Sequence, residues 1–577
     1  MPTSPNIPNI ASRVPMMFRA QVPGRSQLQR IDPQRTKDEI DQDVERWVDE
    51  WTDKTSDDPP QSSRTENSRV YDITWRFVTN GGQDDGIIRP VIGAYGWPVY
   101  PGSSMKRAFR QACTITQADR YCGRAVGQDF QPGILRFHGG YPTSPDWTDG
   151  LVDIIHPQQD RQVKQEQTTS AFAQISLYQP QLRFAISSTE PLEATEWEIV
   201  WQIWERALRN GLGCRVSAGY GQVVYPYESD DVGANRAGDI LFQSHIKGQG
   251  QAPKLLDQAG EFRPNVFRAA VRGHALRLFG GLTSAAQAEA LVNQLFGSVQ
   301  GSGDVGLLAI HFQTRRLNLD SYGTGKWEQP TYAVEGDLAW ALNRSLPDAE
   351  QQSVLTNLVR ALMHFSMVFG GFGKSWRRAD HRLFYLDYAE QSNKPLIGCH
   401  WQWGSDALQQ NYQIRRLEHI PPFLKAVRGV ARRWLQLQKA TSDQRATHWR
   451  EAWHPQTVQV WGRLAQNQDD SLAVEWLHGP YRKAIRAARV TEGSIYKTSV
   501  TGQLGHIGRL WHRMYPVVQL KKLKDNSQGK PVAILPANPQ YLELLTLFPD
   551  NSHEYQQFLQ FLRQEQTTFT LLWPEER

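Results

Sequence analysis

Read for alternation and helical spacing, the chain sorts into a polar arm followed by two runs of elements in the same order. Residues 71–78 (YDITWRFV) alternate apolar and polar positions as a half-buried strand does. A loop by composition follows at 80–86, then short strand candidates at 87–92 and 97–100. Pro101-Gly102-Ser103-Ser104 opens a helix in which Met105, Ala108, Phe109 and Ala112 share one face, and either serine is expected to cap it. Strands at 133–137 and 182–187 flank a polar insertion over 142–169. A helix over 194–210 leads into a glycine-rich loop and a strand at 222–227.

After the polar stretch 227–239 the order repeats. ILFQSHI (240–246) is a strand, and Pro264-Asn265 opens a helix with Phe267, Ala270 and Val271 inward. Residues 306–312 form a strand again, and a helix over 354–368 runs into Gly370-Gly371-Phe372-Gly373. Pro101 lies 112 residues before Gly213, and Pro264 lies 107 before Gly371, so two modules in tandem is the economical reading. The second carries a helical region over 405–492, a strand at 531–535 and a terminal helix. The expected domains are an arm over 1–68, a first module over 69–230 and a second over 238–577.

Composition narrows the class. With 40% hydrophobic and 21% charged residues, the 577-residue chain can bury a core, which excludes wholesale disorder. Its longest apolar run, 358–373, is interrupted by Arg360 and His364 and is too short to span a bilayer. Proline and arginine near the N-terminus argue against export, and Cys113, Cys122, Cys214 and Cys399 form no CxxC pair. A cytoplasmic protein without a membrane partner is expected. Net charge is +5, but its distribution says more. Ten basic residues from Arg482 to Lys524 face one acid, Glu492, which makes either a phosphate-binding surface or a solvated helical face. Over 38–58 ten acids stand against Arg46 and Lys54, and Ile40, Val44, Trp47 and Trp51 recur at helical spacing. That is an acidic amphipathic helix that docks on another protein or on its own chain.

The densest motif is G-h-G-x5-G-h-G at 211–221, where h is apolar, with Gly211, Gly213, Gly219 and Gly221 fixed. Such glycines let a backbone approach a ligand, and their N–H groups can line an anion site to which Arg215, Lys106, Arg107 and Arg110 add charge. On that reading a valine at Gly219 or Gly221 blocks the ligand and leaves the fold intact. The alternative is a turn that closes a sheet. Neither GxxxxGK[ST] nor a Rossmann GxGxxG after a strand is present, which disfavours a metabolic nucleotide-binding enzyme.

These motifs resemble the RAMP superfamily, the repeat-associated proteins that form the RNA-binding backbone of type III CRISPR effectors. The resemblance rests on WPVYPGSSMKRAFR (97–110), on RYCG and GILRFHGG within 120–140, on LVDIIHP (151–157) and on the glycine loop. The second module is similar in FRPNVFRAAVRG (262–273), LFGS (295–298) and VFGGFGKSWRR (368–378), but has Arg-Pro-Asn-Val for Pro-Gly-Ser-Ser and lacks a Gly-x-Gly after Arg378. Motifs cover 70–386, with a family-like tail at 505–537. The resemblance implies an α+β chain of two tandem ferredoxin-like or RRM-like modules with thumb insertions, plus the mainly helical insertion of the second module. It also implies guide RNA, complementary single-stranded target RNA and other CRISPR effector subunits as partners.

Residue by residue, the implied RNA-binding set is Ser103, Ser104, Lys106, Arg107 and Arg110 on the first helix, and Gly211, Gly213, Arg215, Gly219 and Gly221 in the loop. In the second module it is Arg268, Arg272, Gly371, Gly373, Lys374, Arg377 and Arg378. Trp75, Phe109, Tyr220 and Trp376 either stack on bases or sit in the core. Cleaving members use an aspartate of the first loop with a divalent metal, which matches Asp84 and Asp85 as the catalytic, Mg²⁺-binding pair. The same composition fits an exposed turn. In the second module the corresponding loop holds Asp257 alone. The competing activity is a guide-precursor endonuclease with a histidine general base, for which His138, His156 and His274 are candidates.

Overall fold

The protein is described by a computed structural model over residues 48–574, apart from 61–66, 165–171, 225–239, 299–304, 385–395, 482–492, 522–531 and shorter stretches. It is an α+β chain built on small, mostly antiparallel sheets. Contacts divide it into two units: Met1–His156 with Ser170–Ala234 and Leu255–Gln258, and Pro157–Thr169 with Asn235–Lys254 and Ala259–Arg577. No described helix is long and apolar enough to cross a membrane.

In the first unit the strands Asn67–Asp72, Gln181–Ser188 and Leu135–Pro142 pair antiparallel in that order. Leu182, Phe184 and Ile186 alternate onto the core face, where they meet Met105 and Phe109 of helix Gly102–Ala112 and Val200, Trp201 and Trp204 of helix Ala194–Leu208. The strand expected at 222–227 reduces to a single bridge between Ile73 and Val223, and 225–227 lie outside the described residues. The polar insertion supplies the strand Val152–Ile155, which with Phe172–Ile175 just beyond it joins Gln83–Asp84 and Ile87–Ile88 in a small sheet. Residues 48–52 are helical, and Val48 and Trp51 enter the same core. The Trp51 indole donates to the Gly96 carbonyl at 2.8 Å and the Trp97 indole to that of Ser56 at 2.7 Å, so this end of the acidic helix docks on its own chain. Ile40, Val44 and Trp47 lie outside the described residues.

The second unit holds two four-stranded antiparallel sheets of one design. The first runs Leu308–Tyr322, Gln329–Leu342, Ile240–Gln251, Cys399–Trp403, and the other Leu510–Pro516, Tyr541–Leu547, Gln459–Ala465, Thr570–Trp573. Counted along the chain, both orders are second, third, first, fourth. Helices Asn265–Gly280 and Ala285–Phe296 follow the first strand of one sheet and Leu472–His478 that of the other. Ala349–Phe369 and His553–Leu562 follow the respective third strands. The strand Gln459–Ala465 breaks a region expected to be helical. Its pattern hid it because Arg463 is buried mid-strand against Glu543, with Nε 2.5 Å from Oε2.

A helix from the first module's insertion, Gln159–Lys164, belongs to this unit: Val163 is fully buried in its core and Lys164 pairs with Glu289 at 2.6 Å. Beside it lies a buried charge cluster. Both Arg277 and Arg377 donate to Glu451 Oε2, Nη2 lying 2.5 and 2.8 Å away, while Gln162 Oε1 accepts from Arg377 at 2.6 Å.

Candidate nucleic-acid interface

Helix Gly102–Ala112 starts ahead of both serines, with Pro101 as its N-cap and no side-chain cap hydrogen bond. Ser103 and Ser104 therefore lie inside the first turn and do not cap it. Gly102 is required by packing: a Cβ there would sit 2.0 Å from the Phe137 carbonyl oxygen. Gly139 (φ +86°) answers from the strand side, where a Cβ would sit 2.2 Å from the Tyr100 oxygen. The two sequence motifs, Pro-Gly-Ser-Ser and GILRFHGG, thus meet in one tight junction of helix and strand.

That junction holds the helix with its apolar face sealed and its cationic face outward. Met105 and Phe109 are fully buried, while Arg107 and Arg110 are exposed and Lys106 is half-buried. Arg110 Nη1 donates to the Gly123 carbonyl at 2.5 Å. Among the described residues none of the three cations pairs with a carboxylate. Lys106 Nζ stands 5.9 Å from the ring of Phe130, which is 58% exposed on the hairpin Gly123–Val126 and Asp129–Pro132. Sequence reasoning did not single out Phe130; the signal available was a lone aromatic between polar residues in DFQP.

The glycine loop differs from its expected role. Gly211, Gly213, Gly219 and Gly221 have φ of +76°, +77°, +91° and +62°. At three of them the space a Cβ would need is filled by this chain: it would lie 2.2 Å from Val216 Cγ1 at Gly211, 2.1 Å from the Val78 oxygen at Gly213 and 1.9 Å from the Leu212 oxygen at Gly221. N–H groups are used internally as well: Leu212 donates to Gly221, Cys214 to Val78, and Gly221 to Arg76. The loop is a turn that locks onto the segment 76–78, and Arg215 rides on it in a left-handed conformation at φ +58°. Of the aromatics weighed for stacking, Trp75, Phe109, Tyr220 and Trp376 are all buried. Tyr220 instead donates its hydroxyl to the buried carboxylate of Asp153 at 2.8 Å.

In the second unit most of the expected contacts face protein. Arg268 donates to the Phe296 carbonyl, and Arg272 Nη2 donates to Asn293 Oδ1 at 3.0 Å, which fixes helix Asn265–Gly280 to Ala285–Phe296. Gly371 (φ +147°) and Gly373 (φ +95°) face Cys399 Sγ and the Tyr332 hydroxyl, 2.9 and 3.1 Å from an added Cβ. Arg377 is taken by Glu451 and Gln162, and Arg378 by the carbonyls of Leu510 and Thr501. Burial pushes the Arg378 guanidinium down to about 10, with Arg377 adding repulsion. Lys374 alone of this group is exposed. From the basic run beginning at Arg482, Arg513 is buried and donates to the Met367 and Trp401 carbonyls.

Of the catalytic candidates, Asp85 and Asp257 lie outside the described residues, and Asp84 is described only as backbone in the strand Gln83–Asp84. His156 also lies outside them. His138 is exposed, with Nε2 2.8 Å from Ser187 Oγ. His274 is fully buried among Phe365, Trp376 and Trp511, and burial, with Arg277 and Arg377, holds its pKa well below the ordinary value. A sealed ring cannot take a proton from RNA, so His274 is not a general base.

No protein-family model matches the chain, and no curated protein is significantly similar to it. Among solved structures it is similar to a chain in a cryo-EM structure of the Type III-B Cmr-beta bound to cognate target RNA, at 18% identity and a TM-score of 0.22. The match covers 28% of this chain and 60% of that one.

Proposed function

We propose that this chain is an RNA-binding backbone subunit of a type III CRISPR ribonucleoprotein effector, holding guide RNA and positioning complementary target RNA. The observation that carries the reading is the cationic helix face of Lys106, Arg107 and Arg110, held outward by the Gly102–Gly139 junction and not neutralised by carboxylates of the described residues. Cations three and four residues apart on one exposed face suit a phosphate backbone, which they position without reading bases. The sheet order second, third, first, fourth, with helices after the first and third strands, supports a ferredoxin-like plan used twice within the second unit.

Reversing the three charges to glutamate is expected to weaken guide binding for all sequences alike. Each phosphate that a cation no longer neutralises on a single strand flattens the slope of log K against log salt by about 0.7, so a flattening of about 2 is expected for the triple variant. Unchanged affinity in a filter-binding titration would overturn the placement. Arg107→Glu is the cleanest single variant, since Arg107 is exposed and Arg110 also ties down Gly123.

Cleavage belongs to the same proposal through Asp84 and Asp85. Two adjacent carboxylates suit Mg²⁺, which takes one or two carboxylates together with phosphate oxygens. Asp84→Ala with Asp85→Ala is expected to remove one cut from the target-RNA ladder, as EDTA does, without weakening target binding. An unchanged ladder would make this module a non-cutting one.

A further inference from the structure

The strand Leu308–Tyr322 is the edge of its sheet: among the described residues it pairs on one side alone, with Gln329–Leu342. Residues 314–321 are exposed without interruption. Along such an edge every second residue turns its N–H and C=O groups outward, where they template pairing with another strand. Leu317 and Leu319 are 36% and 41% exposed and stand opposite Val334 and Tyr332, so they continue the face on which those two enter the core. Arg316, Asn318 and Asp320 take the other face. Glu335, opposite Arg316, is taken by Lys247 and His245 at 3.0 and 2.9 Å, and Asp320 Oδ1 accepts from the Ser321 N–H at 2.8 Å. Among the described residues neither Arg316 nor Asp320 makes an ion pair.

This segment is its own complement. When two copies run antiparallel with Asn318 opposite Asn318, Leu317 of each faces Leu319 of the other, and Arg316 of each faces Asp320 of the other. A one-residue slip would put the leucines of the two copies on opposite faces of the joined sheet. A two-residue slip would set Arg316 against Asn318 or Tyr322 and lose both charge pairs. We propose that the edge strand Leu308–Tyr322 pairs antiparallel with the same strand of a second copy of this chain, centred on Asn318, in a two-fold symmetric dimer.

Charge complementarity selects the occupant. Charged side chains on an edge commonly keep other strands away, but here opposite charges flank the centre two residues to either side, and an antiparallel copy presents them in the matching order. Four leucines then carry the apolar face of Val334 and Tyr332 across the junction. Local structure limits the pairing at both ends. The register shifts between Thr314 and Arg316, with Arg315 held by Asp337 at 2.6 and 2.8 Å, and Tyr322 is buried again. Pairing over 316–320 is about 17 Å long, which makes an interface below the standard size and a weak dimer, with a Kd of about 10–100 µM. None of these residues belongs to the proposed RNA-binding set.

The test is sedimentation velocity of the full, nuclease-treated chain up to about 200 µM, where the wild type is expected to show a monomer–dimer equilibrium. Arg316→Asp and Asp320→Arg each set like charges opposite one another at both pairs, and each is expected to weaken the dimer at least about tenfold. The double variant Arg316→Asp with Asp320→Arg rebuilds both pairs and is expected to dimerise as the wild type does. An equimolar mixture of the two single variants is also expected to dimerise, because each then faces the charges its own copy lacks. Both positions are exposed, so thermal midpoints in dilute solution are expected to stay at the wild-type value. Single variants that dimerise like the wild type, or a mixture no more dimeric than its components, would overturn the proposal. So would a wild type that is monomeric throughout, which would leave this edge to a strand of another protein.

Discussion

Gly221→Val is expected to destabilise the first unit by about 3 kcal/mol or more, seen as a lower thermal midpoint in the absence of any RNA. Two costs combine. The φ of +62° is one a β-branched residue rarely adopts, and its Cβ would stand 1.9 Å from the Leu212 oxygen. Neither cost can be relaxed cheaply, because the Gly221 N–H donates to the Arg76 carbonyl at 2.7 Å and its own carbonyl accepts from Leu212 at 2.9 Å. Any loss of RNA binding in this variant would follow from a broken loop, which is why the test of phosphate binding rests on Arg107. A midpoint within about 1 °C of wild type would show that the loop tolerates a side chain and that its glycines are not structural.

Glu451→Ala is expected to cost the second unit about 3–5 kcal/mol, because it strands two guanidinium groups inside the protein. Glu451 and Arg277 are both fully buried, and Arg277 lies over the rings of Trp376 and Trp511 at 5.1 and 5.2 Å. Replacing all three members by apolar residues, as Arg277→Met, Glu451→Leu and Arg377→Met, is expected to recover most of that loss, since the desolvation of charge disappears with the charge. Burial raises the Glu451 pKa, but Arg377, Arg277 and Arg450 outweigh it and hold the carboxyl below its ordinary 4.5. A depressed folded-state pKa gives stability that is full above pH 4.5 and is lost as pH falls through the folded value. The wild type is therefore expected to lose stability more steeply below pH 4.5 than the apolar triple variant does. Parallel pH profiles of the two proteins would remove Glu451 as the cause.

The apolar periodicity was legible because it depends on neighbours in sequence: Met105 and Phe109, and Phe267, Ala270 and Val271, all face inward as their spacing requires. What sequence could not show was who stands opposite. Glycine density at 211–221 is equally compatible with a ligand or with the chain's own backbone above each Cα, and only the positions of Val78 and Leu212 decide it. Arg377 and Arg378 looked like phosphate ligands because they follow a glycine turn, yet their partners, Glu451, Leu510 and Thr501, come 74 to 132 residues later. For Gly213, Arg377 and Arg378 the deciding partner is distant along the chain.

The helix Gln159–Lys164 leaves one unit, serves the other and returns, so the route of the chain has a consequence for synthesis. At a ribosome the helix emerges about 100 residues before the segment Asn265–Gly280 on which it packs, several seconds at ordinary elongation rates. During that interval Val163 has no core to enter, although the strands on either side of it already have theirs. The first module therefore matures with a loop held open for a later partner. No single cut of the chain yields two fragments that each hold one whole unit, because the boundary is crossed at 156, 169, 234, 254 and 258.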